Sequence, residues 1–292
     1  MSPQGDFSST AAHELLQNAF ERLRAAGIDT PILDAEILLS RVLEITRTQL
    51  ITHLETKPPC ESVALFDKWV ERRARREPLA YIIGQREFYG LCFEVNPSVL
   101  VPRPETEILV ETSILLLKDI PNPRIVDIGV GSGAIAVSLA HALPKSRVCG
   151  TEISTEAIAV ARKNAERIGV SERVQILDGD LFQPLRDMSF DLIVSNPPYI
   201  PSGDIDSLEP EVARCEPRGA LDGGTDGLDY YRRICSESPE YLVAGGHLAV
   251  EVGQGQADDV KGLMRDGGFH EVRSVKDYSG IERVVIGRMG GE

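Results

Sequence analysis

The sequence predicts an α/β protein: a doubly wound, mainly parallel sheet with an antiparallel last strand, preceded by a small helical bundle and a β-hairpin linker. Three observations carry that expectation. Strand-like and helix-like segments alternate regularly after Pro104, a glycine-rich turn at Gly129, Gly131 and Gly133 joins an apolar run to a helical one, and the apolar residues before Pro78 repeat at helical spacing. The expected boundaries are 1–78 for the bundle, 79–103 for the linker and 104–292 for the sheet domain.

Each element has a local reason. Leu15, Leu16, Ala19, Phe20 and Leu23 form one helical stripe between Thr10 and Gly27, a glycine that can stop the helix. Thr30 followed by Pro31 caps a second helix over Ile32 to Ile45, and Glu61 to Glu77 reads as a third that ends at Pro78. Between Arg86 and Leu100, two short aromatic and β-branched runs flank Gly90 and read as a hairpin. The alternation that follows is helix (Glu105 to Leu117), strand (Arg124 to Ile128), helix (Ser132 to Ala142), strand (Arg147 to Glu152), helix (Thr155 to Ile168), strand (Val174 to Leu177) and strand (Asp191 to Ser195). A helix over Leu228 to Val243, a strand over His247 to Val252 and a helix over Ala257 to Asp266 come next. Two closing β runs, Glu271 to Val275 and Arg283 to Ile286, are joined closely enough for a hairpin, so the last strand is expected to run antiparallel.

Composition narrows the function classes. The 292 residues carry 45 acidic and 31 basic side chains, a formal charge of −14. Residues 1–90 hold −2 of it and the remainder −12, which disfavours an extended nucleic-acid groove. No apolar run reaches membrane-spanning length and Met1 to Asp6 lacks a leader pattern, so neither export nor insertion is expected. Cys60, Cys92, Cys149, Cys215 and Cys235 form no CxxC pair, as suits reduced cytoplasmic thiols, and the histidines lack zinc-ligand spacing, so no metal is expected.

Two motifs carry chemistry. The glycines at 129, 131 and 133 let backbone approach a ligand closely, and Glu152, nineteen residues on at the end of the next strand, can accept both hydroxyls of a ribose. Asp180 in the following turn could accept from an adenine amino group with Leu181 against the ring, or be a plain turn residue. Spacing alone leaves a dinucleotide and S-adenosylmethionine both open. The second motif is Asn196, Pro197, Pro198 and Tyr199 after an apolar strand. An asparagine oxygen and a proline carbonyl, stiffened by adjacent prolines, can grip the two hydrogens of a planar NH2 group, and the tyrosine ring can stack on it. That arrangement fits methyl transfer from a sulfonium to a conjugated nitrogen, catalysed by Asn196, Pro197 and Tyr199 through orientation and charge stabilisation.

Together with Glu87 to Gly90, Val101 to Glu107, Glu216, Pro217, Ala220 and Leu221, these motifs resemble the HemK/PrmC family, the protein-(glutamine-N5) methyltransferases of peptide chain release factors. The resemblance covers nearly the whole chain. It implies a Rossmann-like class I methyltransferase fold, S-adenosylmethionine as donor with S-adenosylhomocysteine as product, and the glutamine of a Gly-Gly-Gln motif as substrate. By position it implies that Asp127, Gly129, Val130, Gly131, Ser132, Gly133, Glu152, Asp180, Leu181 and Asn196 serve the cofactor. Asn196, Pro197, Pro198 and Tyr199 would hold the glutamine, Arg103 and Glu107 would shape the pocket wall, and the helical bundle would recognise the substrate. Val130 stands where threonine is usual, Glu152 where aspartate is common and Leu181 where some members carry an aromatic residue; these departures bear on cofactor affinity.

Asn-Pro-Pro-Tyr is shared with methyltransferases acting on nucleic-acid bases, which is the alternative reading; a nicotinamide-dependent oxidoreductase and a non-catalytic binding module are more distant ones. A monomer in the cytoplasm is expected. Lys68, Arg72, Arg73, Arg75 and Arg76 read either as a solvated helix end or as a contact for an acidic partner or RNA. The aperiodic segment 200–226 reads as a substrate-gating loop or as disorder, and Trp69 as core.

Overall fold

The computed structural model describes residues 8–291. In chain order the elements are helices α1 (Ala12–Ala25), α2 (Pro31–Val42), α3 (Arg47–Thr52), α4 (Cys60–Ala74) and α5 (Leu79–Ile83), then strands β1 (Gln85–Phe88) and β2 (Leu91–Glu94). Helix α6 (Glu107–Leu117), β3 (Arg124–Ile128), α7 (Ala134–Ala142), β4 (Arg147–Glu152), α8 (Thr155–Ile168), β5 (Val174–Asp178) and β6 (Phe190–Ser195) follow. The chain continues through α9 (Pro210–Cys215), α10 (Asp229–Glu237), β7 (Leu242–Glu251), α11 (Ala257–Asp266), β8 (Phe269–Lys276) and β9 (Glu282–Met289). Two compact units result: one runs through Gly84 and includes Pro210–Cys215, the other comprises Gln85–Glu209 and the chain from Glu216 onward.

In the first unit, Leu15, Ala19, Leu23, Leu38, Leu39, Leu50, Phe66 and Val70 form one buried cluster, with Trp69 packed partly buried against it. Two short helices escaped the periodicity reading. Thr46 accepts from the Gln49 amide while the Gln49 side chain accepts from the Thr46 amide, a reciprocal cap that starts α3. Helix α5 begins after Pro78 and stops at Gly84, whose φ of 77° suits glycine. The predicted third helix ends earlier than expected, at Ala74, since Arg76 takes a left-handed φ of 68°.

The basic residues on and just after α4 divide between the two expectations: Lys68 and Arg75 are exposed, as a solvated helix end requires, whereas Arg73 is taken up in buried pairing. Arg73 is buried, donating from Nε to Asp34 Oδ2 at 2.6 Å and from Nη1 to Glu211 Oε1 at 2.9 Å. Arg76 donates to the other Glu211 oxygen at 2.9 Å, Arg72 pairs with Glu77, and Arg75 with Glu71. These arginines are engaged within the unit, leaving Lys68 as an exposed cation on the helix. Glu211 belongs to α9, and the aperiodic segment 200–226 carries short helical turns at Ile205–Ser207, Pro210–Cys215 and Arg218–Ala220, so it is not disordered.

In the second unit, β1 and β2 pair as an antiparallel hairpin across Tyr89 and Gly90, both at positive φ, which matches the right-handed strand twist. Among the described residues seven strands form the large sheet in the order β5-β4-β3-β6-β7-β9-β8. Strands β3 to β7 are parallel, and β9 lies antiparallel between β7 and β8, as the sequence led one to expect. Alternate strand residues face opposite layers. Ile125, Val148, Leu192 and Val194 join Leu109 of α6, Val137 of α7 and Ala161 of α8, whereas Val126, Ile193 and Leu248 join Tyr231 of α10 and Val260 of α11.

One element boundary moves substantially. The expected helix Leu228–Val243 ends at Glu237, followed by a 3-10 turn over Ser238–Tyr241, and β7 already begins at Leu242. Pro239 supplies no amide for the α-helical ladder, and Gly245, at φ 78°, accompanies the register shift that separates the two stretches of β6–β7 pairing. The strand order reverses between β3 and β6. That reversal opens a crevice at the carboxyl ends of the strands, where both sequence motifs fall.

Candidate active site

A cavity of about 290 Å³ occupies that crevice within the second unit. Its walls include Gly129, Val130, Gly131, Ser132, Glu152, Asp180, Leu181, Asn196, Pro198 and Arg103 among the sequence candidates. Asp127, Gly133, Pro197, Tyr199 and Glu107 do not line it. The two motifs therefore meet at one space, with several of their members acting from behind it.

The glycine turn is pinned by backbone. The amides of Gly129 and Val130 both donate to Thr151 O on β4, at 2.9 and 3.0 Å, and the Gly131 amide donates to Glu152 Oε2 at 2.9 Å. The other Glu152 oxygen accepts from the amides of Ile153 and Ser154. Gly129 and Gly131 have φ of 77° and 54°, and a Cβ on either would enter open space, so the turn needs glycine for its backbone and leaves room beside it. Val130 packs on β4: a Cβ at Gly150 would lie 2.9 Å from Val130 Cγ2.

Behind the turn, Asp127 is fully buried and its Oδ2 accepts from the Ala136 amide in the first turn of α7 at 3.1 Å. Burial pushes its carboxyl up to about 8, against the pull of that amide. Asp180 accepts from Arg233 at 2.7 Å, and Leu181 holds a left-handed φ of 45° at the cavity wall, a strained conformation for a branched side chain. Thr151 Oγ1, also in the wall's lining residues, has no partner among the described residues.

The second motif is held from several sides. Asn196 Nδ2 donates to Thr106 Oγ1 at 3.2 Å, and the buried carboxyl of Glu251 at the end of β7 stands beside both. With Nδ2 so engaged, Oδ1 is the acceptor left over on a side chain that lines the cavity. Gln256 Nε2 donates to Tyr199 O at 2.9 Å while its Oε1 accepts from the Gly253 amide. Close packing also selects glycine here, because a Cβ at Gly223 would lie 2.8 Å from Pro198 O, and one at Gly227 would lie 2.4 Å from Tyr199 O. Burial pushes the Tyr199 hydroxyl up to about 12, so it stays protonated near neutrality.

One of the two expected wall residues takes other work. Glu107 Oε1 accepts from the Tyr89 amide at 2.8 Å, tying α6 to the hairpin turn. Arg103 does reach the cavity and pairs with the buried Glu216 at 2.7 Å; desolvation pushes that carboxyl up while Arg103 pulls it down. Sequence reading missed Thr106, Glu251 and Gln256. Glu251 could have been found, since it ends the strand next to β6, at the same edge as Asn196.

The PrmC N-terminal domain model matches residues 14–84 and the methyltransferase small domain model matches residues 106–208. Over 269 residues the chain is 50% identical to a release factor glutamine methyltransferase of Geobacter sulfurreducens, covering 92% of this chain and 93% of that one. The chain belongs to the release factor glutamine methyltransferase family. A second member, from Caulobacter vibrioides, is 44% identical with 92% and 93% covered. The fold is shared more widely than this family: a methyltransferase from Pyrococcus furiosus superposes with a TM-score of 0.52 at 21% identity, over 75% of this chain and 97% of that one. The hMettl16 catalytic domain superposes at 0.57 with 16% identity, over 80% and 84%. Within the family's class I methyltransferase fold, the observed cavity joins the glycine turn to the Asn-Pro-Pro-Tyr segment.

Proposed function

We propose that this enzyme transfers a methyl group from S-adenosylmethionine to the side-chain amide nitrogen of the glutamine in the Gly-Gly-Gln motif of peptide chain release factors. The observation that carries the chemistry is the commitment of Asn196 Nδ2 to Thr106, which leaves Oδ1 as an acceptor beside the cavity bordered by Gly129 and Gly131. The substrate follows from the names of the relatives, which match along nearly their whole length.

The wall fits the donor. Asp127 already takes the Ala136 amide, one of the helix N-terminal donors that a pyrophosphate would use, and Glu152 and Asp180 add carboxylates to the lining. A ligand bearing a cationic sulfonium suits these surroundings better than a dinucleotide does. When bound, S-adenosylmethionine supplies an electrophilic methyl group. Glu152 would exchange its backbone contacts for ribose hydroxyls, Asp180 and Leu181 would flank the adenine, and Val130 and Ser132 would complete the turn.

For the substrate, Asn196 Oδ1 and the Pro197 carbonyl would accept the two amide hydrogens, Tyr199 and Pro198 would contact its plane, and Arg103 would shape the wall. An amide nitrogen is a poor nucleophile because its lone pair is delocalised. Fixed acceptors favour the positive charge that develops on it, and this preorganisation contributes the larger part of catalysis, about 10²–10³ per group in comparable sites. Asp127, Gly133 and Glu107 would act as supports.

The helical unit, 1–78 by sequence, would recognise the release factor. Arg72, Arg73, Arg75 and Arg76 are engaged in ion pairs, which favours a protein substrate over a nucleic acid. No helix among the described residues is long and apolar enough to cross a membrane. We infer action in the cytoplasm, where a release factor meets the ribosome, by a monomer. The test is incubation with methyl-labelled S-adenosylmethionine and, separately, release factor or total nucleic acid, followed by peptide mapping. Label on the Gly-Gly-Gln glutamine is expected; label confined to nucleic acid would overturn the substrate.

A further inference from the structure

Glu251 has no role in the chemistry described so far, yet it is among the most buried ionisable groups of the second unit, with 2% of its surface exposed. Its carboxyl stands beside Thr106 and Asn196 at the strand ends, where Ser195 of β6 pairs with Val250 of β7, and Oε2 has no hydrogen-bond partner among the described residues. Its own backbone carbonyl accepts from the Tyr231 hydroxyl at 2.8 Å, which pins the strand end on which it stands. A buried carboxyl with an unmet oxygen is costly to retain for stability alone. Its contacts converge on the two residues that set the orientation of the Asn196 amide.

We propose that Glu251 is a positioning residue for methyl transfer: its carboxylate holds the Asn196 side chain with Nδ2 toward Glu251 and Thr106, so that Oδ1 alone is available to the substrate amide. The proposal rests on the amide-methylation reading above. An asparagine amide that flipped would present two N–H donors to a substrate NH2 group, which is itself a donor, and the grip would be lost. An ionised Glu251 can only accept, and so it enforces the productive flip. A protonated Glu251 can donate, and the enforcement lapses.

The surroundings place that change near neutrality. Burial pushes the Glu251 carboxyl up to about 7; Glu105, before α6, adds to the rise, while Arg283 on β9 and the neighbouring Thr106 and Asn196 side chains oppose it. Arg283 is itself shared with Asp277 at 2.9 Å and with Glu105 at 4.0 Å. The remaining titratable neighbours, Tyr199 and Tyr231, are buried phenols whose shifts are upward, so both are neutral in this range.

The experiment measures kcat on release factor from pH 5.5 to 9 for the wild type, Glu251→Gln and Thr106→Val, with S-adenosylmethionine affinity by calorimetry as a control. Wild-type kcat is expected to fall on the acid side of about pH 7. In Glu251→Gln, kcat should drop about tenfold or more at pH 8.5, by loss of oriented acceptor geometry, with that acid limb gone and cofactor affinity within about twofold. Thr106→Val keeps the charge and removes the neighbouring hydroxyl that favours the ionised form, so the limb should persist and move to higher pH. Wild-type kcat in Glu251→Gln, or an unchanged acid limb, would overturn the proposal. If Glu251→Gln does not fold, an unmoved limb in Thr106→Val does the same.

A second readout needs no turnover. The Asn196 side-chain NH2 resonances, assigned with Asn196→Asp, should titrate with Glu251 in the wild type and cease to do so in Glu251→Gln. Resonances indifferent to both pH and the substitution would reject the positioning role. A wild type that methylates no release factor while its Asn196 resonances titrate would remove the substrate reading and leave the orientation device standing.

Discussion

The two halves of the cavity are built from different materials. On the β3–β4 side, backbone amides do most of the holding: Gly129 and Val130 donate to Thr151 O, and Gly131, Ile153 and Ser154 donate to Glu152. On the β6–β7 side, side chains hold side chains, with the half-buried Asn196 set against buried Thr106 and Glu251 and Gln256 securing Tyr199. The difference suits the two tasks. A ligand that must enter and leave is met by a turn whose form is set by glycines, whereas an acceptor that must not rotate is held by a side-chain hydrogen bond beside a buried carboxyl, where low-dielectric surroundings strengthen it.

The sharpest way to separate the halves is Asn196→Ala, which should lower kcat by about 10²–10³ while leaving S-adenosylmethionine affinity nearly intact, as measured by labelled-methyl turnover and calorimetry. Equal loss of both would mean that the halves are not independent.

Asp127→Asn tests the support beneath the glycine turn. Because the folded carboxyl is raised to about 8 from 3.8, the native state binds the extra proton between those values, so its contribution to stability is full at low pH and falls as pH rises through 8. Urea unfolding at pH 5.5 and 8.5 should show the wild type losing about 3 kcal/mol more over that interval than the asparagine variant.

Glu152→Gln keeps the shape and removes the charge. It should weaken S-adenosylmethionine binding by roughly thirtyfold, about 2 kcal/mol, with kcat at saturation little changed. The smallest effect is expected at Val130→Thr, where the β-branched contact with Gly150 is retained. Cofactor affinity there should move by less than about threefold, since one added hydroxyl contributes about 0.5 kcal/mol net.

Particular residues show where sequence reading reached. The alternation from Arg124 to Ser195 placed four strands to within a residue, because period and glycine punctuation are local properties of the chain. Reading a helix through to Val243 failed at Pro239, because Tyr241, Leu242 and Val243 were assigned to the helical stripe although Pro239 ends it and they open the strand. Helix α3 was missed because a single Thr46–Gln49 cap, with little periodicity behind it, starts only six residues. The basic run at 68–76 misled for a different reason. The partners of Arg73, Asp34 and Glu211, lie 39 and 138 residues away, and no local pattern points to them.

By itself the sequence determined the sheet class, the glycine turn, the spaced carboxylate and the Asn-Pro-Pro-Tyr segment, since each is written in neighbouring residues whose backbone preferences are intrinsic. Tertiary structure alone decided what surrounds them. It brought Thr106 to Asn196 across 90 residues and set Glu251 beside both, it turned Glu107 to the Tyr89 amide instead of the cavity, and it placed Asp127 beneath the turn. Which way an amide faces, and whether a carboxyl is charged, depend on burial and on partners that only the folded chain assembles.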